Sequence, residues 1–111
     1  MLQNKIYGLL GLARRAGKAV SGEEPAEGAI RSGKAHLVLL AEDASPNTVK
    51  KFRDKCSFYG VPLILADKRE VLGRSVGAGE RVCVAICDEG LAGAIRKEYQ
   101  ANGTFGKKQG E

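Results

Sequence analysis

The sequence has few of the residue types from which catalytic and metal sites are built. Its 111 residues include one histidine, no tryptophan and three cysteines. Cys56, Cys83 and Cys87 are odd in number and have no CxxC spacing, which favours reduced thiols over a disulfide scaffold. The histidine, His36, has no evident cysteine or serine partner near it in the sequence. We therefore expect no catalytic residues, no metal site and no cofactor.

Long apolar runs are also missing. The apolar residues near the N-terminus are interrupted by Asn4, Lys5 and Gly8, which does not fit a signal peptide. No other stretch approaches the roughly 20 apolar residues of a membrane-spanning helix. These absences predict a cytoplasmic protein without a membrane partner.

What the chain does have is an excess of positive charge. Its 18 basic and 13 acidic residues give a net charge of +5 and a pI of about 9.3, which favours an anionic partner such as nucleic acid. Residues 28–35 satisfy the Gly-x-x-x-x-Gly-Lys spacing of a phosphate loop, but Ala35 stands where serine or threonine is needed, and a helix precedes where a strand is needed. Gly77-Ala78-Gly79 lacks the third glycine of a dinucleotide fingerprint. Neither motif predicts a nucleotide-binding enzyme.

Helices and strands alternate in the first half of the chain. Apolar residues at helical spacing predict a helix over residues 2–16. A short strand and a tight turn at Gly22 follow, and then a helix that Glu24 caps and whose first position suits Pro25. The continuously apolar run 37–40 is typical of a strand that helices cover on both faces.

The second half of the chain continues this alternation. A third helix is expected to bury Phe52 and Tyr59 on its apolar face. The remaining predicted elements are a strand at 61–66, a short helix opened by a capping box of Asp67 and Glu70, a glycine-rich loop at 72–81, a strand at 82–87 and a helix from Asp88.

This alternation predicts a single α/β domain. We expect a three-layer α/β/α sandwich with a central sheet of about four strands. Residues 1–101 are assigned to the domain. Residues 102–111, rich in glycine and lysine, are assigned to a flexible basic tail.

The candidate site lies where two glycine-rich segments meet the ends of strands. In layered α/β folds, ligands gather at loops beyond strand ends, and the turn at Gly22 and the loop at 77–79 fit that place. Arg14, Arg15 and Lys18 would form a basic rim beside the turn. The alternative role for the two arginines is to complement the negative end of the first helix, and the sequence leaves both roles open.

The aromatic residues indicate which form of nucleic acid would fit. Single strands are usually bound on exposed aromatic rings. Of the six aromatic residues, Phe52 and Tyr59 are expected to be buried, and Phe105 lies in the tail. Structured RNA is therefore the expected ligand if RNA is bound.

The chain resembles the ribosomal-protein family of the L7Ae type over residues 6–99. The resemblance is carried by the Gly22 turn, by the helix and strand of 29–43, by the loop of 71–81, and above all by Leu39-Leu40-Ala41-Glu42-Asp43-Ala44-Ser45-Pro46. Within the family, the chain looks closest to bacterial ribosomal-like members. Family members are small α/β/α sandwiches that bind RNA kink-turns. The resemblance thus implies structured RNA as the partner, ribosomal or other, with the ribosome or RNA-processing proteins nearby and with no DNA.

The family's RNA motif is altered in this chain. Gly-x-Asn-Glu-x-x-Lys falls on Gly22, Glu24, Pro25 and Gly28, and only the glycine matches. The resemblance also implies that residues 76–81 pack against a nucleotide splayed out of the stack. The RNA-binding residues that we predict are Arg14, Arg15, Lys18, Ser21, Gly22, Glu23, Glu24, Gly28, Arg31, Val76, Gly77, Ala78, Gly79 and Arg81. Because a carboxylate replaces an amide and a glycine replaces a lysine, we expect weaker or retargeted RNA binding.

Two other classes of function stay open. In the first, the fold is a protein-interaction module that has lost RNA binding, and the acidic turn of Glu23, Glu24 and Glu27 faces a basic protein. In the second, a less favoured one, the chain is an enzyme that binds a nucleotide or another small molecule, which predicts a rise in melting temperature with that ligand.

Overall fold

Five helices and four strands alternate in the computed structural model, which describes residues 4–102. In chain order they are α1 (Asn4–Arg15), β1 (Ala19–Ser21), α2 (Glu23–Arg31), β2 (Leu37–Leu40), α3 (Pro46–Tyr59), β3 (Leu63–Leu65), α4 (Arg69–Ser75), β4 (Cys83–Ile86) and α5 (Glu89–Asn102).

The strands form one mixed sheet in the order β1-β4-β2-β3. Strand β4 runs antiparallel to both of its neighbours, whereas β2 and β3 are parallel. Ser21 pairs with Val84 near one end of β4, and Ala19 pairs with Ile86 at the other end. The turn after β1 is thereby placed beside the segment that leads into β4.

Helices cover both faces of the sheet. Leu37 and Leu39 of β2 enter a core with α1, α4 and α5, whereas Val38 and Leu40 enter a second core with α2 and α3. All four side chains are completely buried, as expected where residues alternate between two covered faces. The predicted single-domain three-layer sandwich with four strands is confirmed.

Local signals fix the ends of α3. Ser45 Oγ accepts a hydrogen bond of 3.2 Å from the backbone N–H of Thr48, and Pro46 occupies the first helical position. Gly60 closes the helix in the left-handed conformation with φ of 72°.

Two predicted helix starts were wrong. Helix α2 begins at Glu23 directly after Gly22, so Pro25 is its third residue, and no side chain caps it. Helix α4 begins at Arg69 after Lys68, also without a side-chain cap. The predicted capping box does not form, because Asp67 Oδ1 accepts from the adjacent N–H of Lys68.

Three further expectations need correction or lie outside the described residues. Residues 72–75 belong to α4, so the glycine-rich loop begins later than predicted. Tyr59 is 44% exposed, in contrast to the prediction, and it is the last residue of α3. Helix α5 includes Asn102, and the rest of the predicted tail, 103–111, lies outside the residues that the structure describes.

Candidate nucleic-acid interface

A cleft of about 510 Å³ opens at one end of the sheet. It lies between the start of α2 and the segments that flank α4 and β4. Its lining consists of Ser21, Gly22, Glu23, Glu24, Arg69, Glu80, Arg81 and Val82. Most of the predicted turn residues therefore lie together with the end of the predicted loop.

Gly22 makes the turn into α2. Its φ of 102° and ψ of 158° belong to a region that other residues rarely adopt. Its N–H donates to the carbonyl of Cys83 at 3.0 Å, and its own carbonyl accepts from the N–H of Ala26 at 3.1 Å. The turn thus links the edge strand of the sheet directly to the first turn of α2.

Arg81 joins the turn to the loop. Its Nε donates to Oγ of Ser21 at 3.1 Å, and its Nη1 donates to the carbonyl of Glu80 at 2.8 Å. Its backbone N–H donates to the carbonyl of Arg69 at 3.1 Å. No carboxylate pairs with Arg81 among residues 4–102, so its positive charge can attract an anion although Nε and Nη1 already donate within the protein.

The loop packs closely on α4. A Cβ added to Gly73 would collide with the carbonyl oxygen of Gly79 and would lie 2.7 Å from its carbonyl carbon. The N–H of Ala78 donates to the carbonyl of Gly73 at 2.9 Å. Val76 is only 6% exposed and belongs to the core. Its side chain anchors the loop, whereas residues 77–79 lie nearer the surface.

Arg14 extends the basic surface from α1 onto the loop. Gly77 has φ of 70°, and a Cβ there would lie 2.6 Å from Cζ of Arg14. The Arg14 guanidinium therefore rests on the loop, at the position that a side chain would otherwise fill. Arg15 is also exposed, and its Nη1 would lie 3.7 Å from a Cβ added at Gly11.

A lysine of α3 neutralises two of the three acidic residues of α2. Lys51 Nζ lies 2.8 Å from Oε1 of Glu23 and 2.7 Å from Oε2 of Glu27. The hydrogen bond from Lys51 is the main cause that holds the pKa of Glu27 below its ordinary value, and the two carboxylates raise the pKa of Lys51. Glu24 is exposed and has no ion-pair partner in the described part of the chain.

Arg69 is a cleft residue that the sequence did not indicate. Its N–H donates to Oδ1 of Asp43 at 3.0 Å, its Nη2 donates to the Asp43 carbonyl at 2.6 Å, and its Nε lies 3.5 Å from Oδ2. Asp43 therefore binds the first N–H of α4, whereas Ser45 caps α3. These contacts depend on the packing of β2 beside β3, and no short sequence motif predicts them.

Lys18 and Arg31, two of the predicted site residues, lie away from the cleft. The carbonyl of Lys18 accepts from the N–H of Cys87 beyond the other end of β4. Arg31 lies in the last turn of α2, about 12 Å along the helix from Glu23, and its Nη1 is 3.7 Å from Oε1 of Glu27. Gly28 lies one turn after Glu24 on α2, where an added Cβ would meet nothing within 4 Å.

The cysteines are placed as packing residues. Burial raises the pKa of Cys56 to about 11 and is the main cause that raises the pKa of Cys83 to about 12. Within residues 4–102, no group of three or more histidine, cysteine or acidic side chains is arranged to hold a metal ion. Over the same residues, no helix has the length and apolar character needed to cross a membrane.

Comparison with known proteins identifies the family. Residues 4–95 match the family described as ribosomal protein L7Ae/L30e/S12e/Gadd45. The chain belongs to this family. The resemblance found in the sequence is therefore confirmed.

Several relatives support this membership. The chain is 53% identical over 89 residues to RNA-binding protein YlxQ of Bacillus subtilis, covering 80% of this chain and 89% of that protein. It is 31% identical over 90 residues to large ribosomal subunit protein eL8 of Thermoplasma volcanium, covering 80% of this chain and 74% of that protein.

Solved structures show the same fold. A protein of unknown function from Bacillus halodurans C has a TM-score of 0.84 and 37% identity, covering 88% of this chain and 99% of that one. The 15.5kD RNA binding protein of Giardia lamblia has a TM-score of 0.76 and 22% identity, covering 91% and 92% of the two chains. At that identity the second likeness supports the fold alone.

Proposed function

We propose that this protein is a non-catalytic RNA-binding protein that recognises structured RNA of the kink-turn type. The RNA would contact the turn at Gly22 and the loop of residues 77–81. We further propose that it acts in a cytoplasmic ribonucleoprotein, on the ribosome or with RNA-processing proteins. The observation that carries the proposal is the bond from Arg81 to Ser21, which joins the two segments into one surface that carries the positive charge of Arg81.

The shape of this surface suits a bent or unstacked RNA site. A regular RNA helix hides its base edges in a deep, narrow groove, whereas kinks and splayed nucleotides expose them. Ala78 and Gly79 present little side chain, which leaves room for a nucleotide to pack on the loop. Arg14 and Arg81 flank that part of the loop and supply positive charge for phosphates.

The acidic residues of α2 set the expected strength of binding. The ion pairs with Lys51 offset Glu23 and Glu27, so Glu24 is the carboxylate that would repel phosphate. Gly28, one turn away, contributes no cation where the family motif has lysine. We therefore expect weaker RNA binding than an intact family motif would give.

The proposal is tested with Arg81→Ala and Arg14→Ala. A charged hydrogen bond contributes about 1.5–3 kcal/mol, so each variant should weaken binding of a kink-turn RNA by about tenfold or more. Arg53→Ala is the matched control, because Arg53 is an exposed arginine of α3 outside the cleft.

Binding is measured by fluorescence anisotropy, and thermal unfolding verifies that each variant is folded. An RNA affinity that is unchanged in both Arg81→Ala and Arg14→Ala would contradict the proposed site. If the wild-type protein binds no RNA while a protein partner survives nuclease treatment in a pull-down, the protein-interaction alternative replaces the proposal.

A further inference from the structure

A second and larger concavity lies at the opposite end of the molecule. Its volume is about 670 Å³, compared with about 510 Å³ for the cleft at Gly22. It lies where α2 and α3 end and α5 begins. Its ionisable lining side chains include Arg31, His36 and Arg96, with Glu89 as the acidic residue. We call it the distal groove.

An exposed aromatic pair lies at the edge of the distal groove, where Tyr59 lines the groove itself and Phe58 lines an adjoining hollow. Phe58 is 82% exposed and Tyr59 is 44% exposed. Their ring centroids lie 4.9 Å apart with an interplanar angle of 79°. Exposed aromatic rings are the groups on which the bases of single strands stack. These two rings form the aromatic platform that the sequence did not predict.

Positive charge lies on both sides of the aromatic pair. The hollow that both rings line contains Lys51, Lys55 and Asp54, and the Asp54 carboxylate is paired with Lys50 at 3.0 Å. Lys34, which is exposed, stands in the chain between Gly33 and Ala35, two residues that line the groove. Cations that flank aromatic rings are the combination by which proteins bind single-stranded nucleic acid.

Two arginines and an open floor characterise the distal groove. Arg96 and Arg31, whose Nη1 also lies 3.7 Å from Oε1 of Glu27, would pair with phosphates there. Gly93 of α5 lines the same groove, and a Cβ added there would meet nothing within 4 Å. The floor of the groove is therefore open.

We propose that the distal groove and the adjoining hollow, which meet at Tyr59, bind a single-stranded RNA segment, with bases stacked on Tyr59 and Phe58 and phosphates held by Arg31, Arg96 and Lys55. This surface is separate from the cleft at Gly22, at the far end of β1 and α2. One protein molecule could thus hold a structured RNA element at one end and a flanking single strand at the other.

The test measures binding of fluorescein-labelled octauridylate to the full chain by anisotropy. Tyr59→Ser should weaken binding about tenfold, since stacking on an aromatic ring contributes strongly for each base. Tyr59→Phe should stay within about twofold of wild type, because the ring remains. Leu12→Ser is the matched control for loss of an exposed apolar side chain, because Leu12 is 46% exposed on α1, outside the groove.

A second variant tests the groove without changing the ring. Gly93→Leu adds a side chain into open space on a helix, so it should fill the groove and weaken octauridylate binding while the protein stays folded. Neither variant should change affinity for a kink-turn RNA that has no single-stranded extension.

Two results would overturn the inference. One is octauridylate affinity that is unchanged in both Tyr59→Ser and Gly93→Leu. The other is uridine monophosphate competing as well as the octamer at equal concentration, which would indicate a small-molecule pocket. Failure of kink-turn binding with octauridylate binding intact would reject the proposed function and leave this inference standing.

Discussion

The close approach of Gly73 to the loop gives a prediction with a large expected effect. In Gly73→Ala, the new methyl group would collide with the backbone of Gly79, and a carbonyl group cannot rotate away as a side chain can. The loop must therefore move. Its displacement strains the hydrogen bonds from Ala78 to Gly73 and from Arg81 to Arg69.

The size of the effect follows from three contributions. Overpacking costs about 1–3 kcal/mol, and two weakened hydrogen bonds cost about 0.5–1.5 kcal/mol each. Replacing a helical glycine with alanine returns about 1 kcal/mol. We expect a net loss of about 3 kcal/mol in the free energy of unfolding, which lowers the melting temperature by roughly 10–20 °C.

Thermal unfolding followed by circular dichroism measures this loss. Gly8→Ala is the matched control, because Gly8 is also helical and an added Cβ there meets nothing within 4 Å. That substitution should raise the melting temperature by a few degrees. A Gly73→Ala protein as stable as wild type would refute the packing of the loop on α4.

Three further predictions concern the charges near the site and one partly buried hydrogen bond. Lys51→Ala should lower RNA affinity relative to wild type, most at low salt. It should lower the free energy of unfolding by at most about 1 kcal/mol, because its ion pairs are exposed. An RNA affinity equal to that of wild type at both a low and a high salt concentration would contradict this. Glu24→Asn combined with Gly28→Lys should tighten kink-turn binding about tenfold. It should also steepen the dependence of log affinity on log salt concentration by about one phosphate contact. Anisotropy titrations over a salt series measure both effects, and unaltered binding would refute the prediction. Tyr7 donates to Asp67 at 2.7 Å, and burial is the main cause that raises the pKa of Tyr7 to about 12. Because that folded value exceeds the unfolded value of about 10, wild-type stability should fall as pH rises from 10 to 12. Tyr7→Phe should make this fall smaller without removing it, because the raised pKa values of Cys56, Cys83 and Lys51 also contribute to it. The substitution should cost about 1–2 kcal/mol at pH 7. Urea unfolding of both proteins across this pH range is the measurement, and an equally steep fall in both would contradict the prediction.

The fold could be predicted because the residues that indicate its helices and strands lie within those elements or directly beside them in the sequence. The apolar run of β2 shows a strand covered on both faces, and Gly60 and Pro46 mark the ends of α3 in the sequence itself. The boundaries that were wrong depend on other parts of the chain. Asp67 looked like a cap for α4, but the residue that binds the first N–H of that helix is Asp43, which is 26 positions away.

The candidate site was predictable only in part, for the same reason. Gly22 could be identified because a tight turn needs a glycine, and the loop could be identified by its composition. The sequence did not show that Lys51 neutralises two carboxylates of α2, since that depends on how α2 and α3 pack. Nor did it show that Tyr59 is exposed, because helical spacing places a residue on a face but does not say which parts of the fold cover that residue.

The most direct test of the central claim is a titration of a kink-turn RNA against a matched duplex without the kink, at two salt concentrations. If the turn at Gly22 and the loop that ends at Arg81 recognise RNA shape, the protein will prefer the kink-turn, and the preference will persist at the higher salt. Equal and equally salt-sensitive binding to both RNAs would mean that only the basic surface acts. That result would contradict recognition at this site.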